Sequence, residues 1–182
     1  MTSIFEALKV YLQQSLDNEP KNPLHVGEVM SCWMYLALMD EATVYIQIGL
    51  NSTNDDEVIG LLKESLEQCD AQRQRFKKFM QVEGVHLPPT SEPRPNSDPN
   101  AVPLGTKLTD DEIVNGLSIK TITAITHCAA GASQSIRIDV SSLFTQCLLE
   151  KMKYGYSLKH AMRKRGWIKV PPYYYPPGAP SN

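Results

Sequence analysis

Two pairs of residues have the spacing of metal ligands on a helix: Glu83 with His86, and the reversed pair His25 with Glu28. Positions i and i+3 share one face of a helix, so a carboxylate and an imidazole at that spacing point the same way. Di-iron and di-manganese bundles use a Glu from each of two helices and a Glu-x-x-His from each of the other two. Two metals so held, about 4 Å apart, would make the protein a di-metal carboxylate oxidoreductase or a metal-binding protein. Gly84 lies inside the Glu83–His86 pair and Pro88 follows it, which places the pair at a helix end. The residues three after Asp139 and Glu150 are Ser142 and Lys153, and those after Glu57, Glu64, Glu67 and Asp70 are Gly60, Glu67, Asp70 and Arg73. No mid-helix copy of the signature remains.

A looser set of metal candidates can still be assembled from His25, Glu28, Glu41, His127 and Glu150, with Asp40 and Asp139 as neighbours. Iron or manganese is the ion such a degenerate site would take. The same residues have a purely structural reading. His25 and Glu28 sit where a helix begins and suit its cap and dipole. His127 is a core histidine with a partner, and Asp40 and Glu41 pair with Lys120, Arg137 or Tyr45. This second reading is the expectation: no cofactor and no catalytic residue.

Other chemistries have less to stand on. No G-x-S-x-G elbow surrounds any serine, and Gly49, Gly60, Gly84 and Gly105 are isolated rather than gathered in a phosphate loop. Lys159, His160, Arg163, Lys164, Arg165 and Lys169 form a basic cluster, which suits the negative end of a helix better than it suits phosphate. Met30, Trp33, Met34 and Phe144 could line a ligand cavity, although that spacing is also plain core. Cys32, Cys69, Cys128 and Cys147 form no CxxC pair and fall at apolar helical positions, as reduced core thiols of a cytosolic protein do.

Composition narrows the partners. The 182 residues carry 18 basic and 20 acidic side chains, a formal charge of −2, so no global field attracts nucleic acid or an anionic membrane. With 42% hydrophobic and 21% charged residues, the chain is of ordinary globular type and large enough for a core without staples. The opening MTSIFEALKVYLQQSL lacks the basic and apolar regions of a signal peptide. The longest apolar run, Val29 to Met39, meets Asp40 and Glu41 and is too short to span a bilayer. A cytoplasmic protein that binds neither nucleic acid nor membrane is expected.

The thirteen prolines divide the chain. They fall at Pro20 and Pro23, in a cluster from Pro88 to Pro103, and in a tail from Pro171 to Pro180. Long helices are confined to the two proline-free stretches between them. Val26, Met30, Trp33, Ala37, Val44 and Ile48 recur at helical spacing and predict a first helix over about 24–51. Thr53 or Asn54 caps a second, over about 54–83, with Gly84 just past its end. Thr109 and Glu112 form a capping box for a third. The run Ala129 to Ser133 is its weakest point and the predicted turn, and a fourth helix ends at Arg163-Lys164-Arg165-Gly166. A shorter amphipathic helix is expected at 3–16, with Phe5, Leu8 and Leu12 as its stripe.

Linker lengths set the topology. The first connection is a few residues, so the first two helices are antiparallel neighbours. The second, residues 85–108, has 24 residues and six prolines. At about 3.1 Å per residue it spans roughly 75 Å, against roughly 45 Å for a helix of about 30 residues. It can therefore cross the bundle and set the third helix parallel to the second. The expected fold is all-α: a ferritin-like four-helix bundle with one long crossover, a single domain over 1–170 with a Pro/Tyr-rich tail at 171–182.

The segments HVGEVMSCWMYL, LNSTNDDEV, EGVHLPPTSEPRP, GTKLTDDEI and RGWIKVPPYYYPPG, spread between about Pro23 and Pro177, resemble domain-of-unknown-function family 3231. This is a ferritin-like family of endospore-forming bacilli, some of whose members carry a spore-coat label. The ending GWIKVPP is also similar to the end of a wider group of spore-coat-related bundles. The resemblance implies the fold and, through that label, a place in the spore coat; it implies no activity and no catalytic residues. The function expected is that of a non-enzymatic bundle working by contact with other proteins or by self-association, as a homodimer. The tail, with Tyr173, Tyr174 and Tyr175 between prolines, either docks on a partner or folds back with Trp167 over the end of the bundle.

Overall fold

The computed structural model describes residues 21–177. The helix expected at 3–16 and the final residues 178–182 of the tail lie outside that range. Four helices follow in order: α1 (Val26–Leu50), α2 (Asp56–Val82), α3 (Asp110–Gln134) and α4 (Ile138–Lys164). Among the described residues there is no strand.

Three of the four helices start where a capping side chain satisfies free N–H groups. His25 Nδ1 accepts from the N–H groups of Gly27 and Glu28 at 3.0 and 3.3 Å, while Glu28 Oε2 accepts from the His25 N–H at 3.1 Å. This is a capping box with histidine in the Ser/Thr position. The α3 start is the Thr109–Glu112 box that the sequence predicts. At α2 the cap is Asp55, which accepts from the Val58 N–H at 3.1 Å, rather than Thr53 or Asn54. Thr53 Oγ1 instead accepts from the Asp55 N–H and donates to Asp110 at 2.6 Å, joining the starts of α2 and α3. Gly84 and Gly166, with φ of 69° and 71°, end α2 and α4. Beyond them Val85 donates to the Met80 carbonyl and Trp167 to that of Met162, both at 2.9 Å, the bonds of a Schellman ending.

The turn expected at Ala129–Ser133 lies further on. The α3 helix continues to Gln134 and the chain reverses at Ser135–Arg137. Gly131 is buried, and a Cβ there would sit 2.7–2.8 Å from the Phe144 ring. Its missing side chain lets the ring of α4 approach the α3 backbone, so glycine here serves close packing rather than a break.

Adjacent helices are antiparallel. Tyr45 of α1 donates to the carbonyls of Glu112 and Ile113 at the start of α3, and His127 late in α3 meets the Ser31 carbonyl early in α1. The α2 helix packs on α1 and α4, and α3 on the same two, leaving α2 and α3 parallel across the diagonal. The proline-rich crossover makes this possible by travelling back along α1. Arg94 N–H donates to Gln47 Oε1, Asn51 donates to the Pro95 carbonyl, and Ser97 N–H donates to Asn51 Oδ1, each at 2.9 Å. Tyr35, Phe76 and Phe144 fill the centre, with ring centroids 4.8 to 5.9 Å apart.

Candidate functional site

The bundle interior carries one chain of polar contacts. Tyr35 Oη donates to Gln72 Oε1 at 2.8 Å, and Gln72 Nε2 donates to Glu150 Oε2 at 2.8 Å. Glu150 also accepts Arg75 Nη1 at 2.7 Å and a second contact from Arg75 Nη2. Tyr35 and Gln72 are fully buried, so each needs the other's hydrogen bond. Burial alone would raise the Glu150 pKa, but the hydrogen bonds from Arg75 and Gln72 outweigh it and hold the carboxyl below its ordinary value. Burial pushes the Tyr35 phenol far up, with the thiols beside it adding to the shift. At neutral pH the chain is therefore phenol, amide, carboxylate and guanidinium.

A second polar centre closes the end where α3 meets α4. Glu28 is 2% exposed. Its Oε1 accepts from the N–H groups of Ile136 and Arg137 at 2.9 and 2.8 Å, while Oε2 serves the start of α1. One carboxylate thus completes the capping box of α1 and holds the turn that leads into α4. Beside it Arg137 forks onto both oxygens of Glu83 at 2.7 Å and onto Asp139 at 3.0 and 2.7 Å. Hydrogen bonding to Arg137 lowers the Glu83 pKa and holds Asp139 well below the carboxylate range.

These contacts decide where the metal candidates go. Glu28 and His25 are consumed in helix capping. Glu41 is exposed and pairs with Lys120 at 2.5 Å, while its neighbour Asp40 pairs with Arg73 at 2.8 Å. His127 contacts the Ser31 carbonyl at 2.9 Å and stacks on Tyr35. Glu150 is held by Arg75. The five candidates, His25, Glu28, Glu41, His127 and Glu150, therefore do not converge, and among the described residues no group of three or more His, Cys, Asp or Glu could hold a metal ion. The donor chemistry does not fit iron or manganese either, since Glu41 and Glu150 already face cations. Of the partners predicted for Asp40 and Glu41, Lys120 is present; Arg137 belongs to Glu83 and Asp139, and Tyr45 to the α3 backbone. The roles of Tyr35, Gln72, Arg73 and Arg75 were not legible in the sequence. The only signal was that Gln72 and Arg75 break the pattern of α2 three residues apart.

All four cysteines are free and buried. Burial raises Cys32 and Cys147 to about 12 and Cys128 to about 11, so these three are protonated at neutral pH and inert. Lys151 is only 3% exposed, and its Nζ lies 3.5 Å from Cys69 Sγ.

The exterior is where unsatisfied surface remains. Val26, Met30, Trp33 and Met34 of α1 are 83%, 55%, 38% and 53% exposed. They do not share a cavity with Phe144, which is buried, so the ligand pocket considered among those four residues is not formed. A groove of about 400 Å³ runs instead between α3 and α4, bordered by Ile122, Ile125, Met152 and Tyr156. Half of the basic cluster at the end of α4 is engaged: Arg165 pairs with Asp55 and Glu57, Lys164 with Glu57, and Lys169 with Asp111. The tail divides. Trp167 and Ile168 pack against the core, with Arg165 4.5 Å above the Trp167 ring. Tyr173, Tyr174 and Tyr175 are well exposed, so the fold-back over the bundle stops before the tyrosines.

The family model described as "Protein of unknown function (DUF3231)" matches residues 14–179. The chain belongs to that family. It is 29% identical over 155 residues to "Uncharacterized protein YvdQ" of Bacillus subtilis (strain 168), covering 85% of this chain and 91% of that protein. The crystal structure of a protein named a "putative spore coat protein" from Bacillus halodurans C-125 superposes with a TM-score of 0.82 at 28% identity, over 85% of this chain and 98% of that one. A fragment named DUF305 from Deinococcus radiodurans superposes with a TM-score of 0.63 at 13% identity, over 79% of this chain and 99% of that one, a likeness of fold alone. No helix among the described residues is long and apolar enough to cross a membrane.

Proposed function

We propose that the protein is a non-enzymatic, spore-associated helical bundle that acts through protein–protein contacts. The observation that carries this reading is the placement of its large apolar side chains: Trp33 and two methionines of α1 and three tail tyrosines face solvent. The candidate metal ligands, by contrast, are spent on capping and pairing. Aromatic residues and methionine are the types enriched at protein interfaces. The spore association rests on the description carried by the Bacillus halodurans relative.

Two measurements test it. A fluorescent fusion expressed in a sporulating bacillus is expected to gather on the developing spore and to leave it with the coat extract; an even spread through the mother cell, with none on released spores, overturns the reading. Removing residues 171–182 should lower retention on the spore while leaving the thermal midpoint nearly unchanged, because the tyrosines bury little. A large loss of midpoint would mean that the tail is part of the packed bundle and not a docking segment.

A further inference from the structure

Charge is distributed unevenly around the bundle. The α1 helix has three ionisable residues other than tyrosine and cysteine: Glu28, Asp40 and Glu41. The first two are buried. From Ile113 to Gln134, α3 has only Lys120 and His127, and Lys120 is paired with Glu41. The outer face that α1 and α3 share thus carries one ion pair and is otherwise uncharged. Along it stand Val26, Met30, Trp33 and Met34, at i, i+4, i+7 and i+8, with Ile119 (66% exposed) on α3. The outer side of α2 is the reverse, with Lys63, Glu64, Glu67, Lys77 and Lys78, and its one well-exposed large apolar residue is Val82, the last of the helix.

We infer that the α1/α3 face is a homodimer interface, its occupant a second copy of this chain. The inference rests on the reading of the protein as one that acts by protein contacts, and it names the surface and the partner. Three features favour a second copy. A two-fold interface sets each patch against itself, which a patch of single-sign charge resists and an uncharged one does not. An acidic or basic partner would find no opposite charge here, since Glu41 and Lys120 neutralise each other. The size is also right. A helix of 25 residues is about 37 Å long, and two helices packed side by side are about 20 Å across, so the face covers roughly 700 Å² against the roughly 800 Å² per partner of a standard interface.

Sedimentation velocity of the full chain over a hundredfold dilution tests this. The expected species has twice the 20.4 kDa chain mass. Met30→Glu with Met34→Glu is expected to give the 20.4 kDa monomer with unchanged helical circular dichroism, as is Ile119→Glu on the other helix of the face. Lys63→Glu with Lys78→Glu, on the charged side, should leave the dimer intact. A wild-type monomer at every concentration overturns the inference, as it would if another part of the chain covered the face. So does a dimer that survives the α1 and α3 substitutions. A monomer that still gathers on spores sinks this inference alone; a dimer that never does sinks the spore reading alone.

Discussion

Glu28 and Arg137 lie 109 residues apart in the chain, and the carboxylate of the first accepts the backbone N–H of the second at 2.8 Å. That bond joins the start of α1 to the start of α4. It is the reason the chain can reverse in three residues after α3 without burying bare N–H groups.

Glu28→Ala should be among the more destabilising single changes at the bundle ends. It removes the acceptor for three backbone donors, and a lost cap costs about 1 kcal/mol while each buried unsatisfied donor costs about 1–3 kcal/mol. A loss of about 2–4 kcal/mol in urea unfolding is expected, and Glu28→Gln, which keeps one oxygen, should lose less. Equal losses for the two variants would mean that the negative charge matters rather than the count of acceptors.

Acid should weaken the fold through the paired carboxyls. Hydrogen bonds from arginine hold Glu83, Asp139 and Asp55 below their ordinary values, and Glu150 is lowered against its own burial. A depressed folded pKa means that the unfolded chain takes up protons first as pH falls. The stability from these pairs is therefore whole above the ordinary carboxyl values of about 4 and is lost progressively below them. Thermal midpoints should be flat from neutral pH to about 5 and fall below about 4. Arg137→Met is expected to reduce stability at neutral pH and to shrink that fall; an unchanged acid slope would remove this pairing from the account.

The Lys151 side chain is 3% exposed, and its amine lies beside a thiol. A thiol is a weak acceptor, and a buried amine without a strong partner is costly. Lys151→Met keeps the apolar stem and removes the polar head. Its unfolding free energy should rise by about 1 kcal/mol or stay level. A clear loss would show that the amine is held by more than Cys69.

The thiols should be closed to reagents in the native protein. With all four cysteines buried and three held up at about 11 to 12, the native state should give almost no reaction with an aromatic disulfide reagent, and denaturant should release all four. Fast reaction of even one thiol in the native state would contradict the burial described here.

The four helices could be read from residues because the signals that make them are local. Prolines exclude helix, Thr109 and Glu112 satisfy each other three residues apart, and Gly84 and Gly166 take the left-handed conformation just past a helix end. The crossover was legible for the same kind of reason, since its length and stiffness alone allow α3 to run parallel to α2. The candidate site was less legible. His25 and Glu28 have metal-ligand spacing and capping spacing at once, and sequence distance cannot separate the two.

The tertiary structure separated them by supplying partners from far along the chain. Glu28 meets the turn after α3, Glu150 meets Arg75, Glu41 meets Lys120, and His127 meets the Ser31 carbonyl. Gly131, a helix breaker by composition, stays helical because Phe144 packs on it. The three tyrosines face solvent, although Trp167 and Ile168 a few residues earlier pack against the core. By itself, then, the sequence determined the elements and their order, through propensities that act within a few residues. Which carboxylate caps, which pairs and which apolar face is left uncovered were decided by the tertiary fold, because burial and Coulomb interaction depend on distance in space and not along the chain.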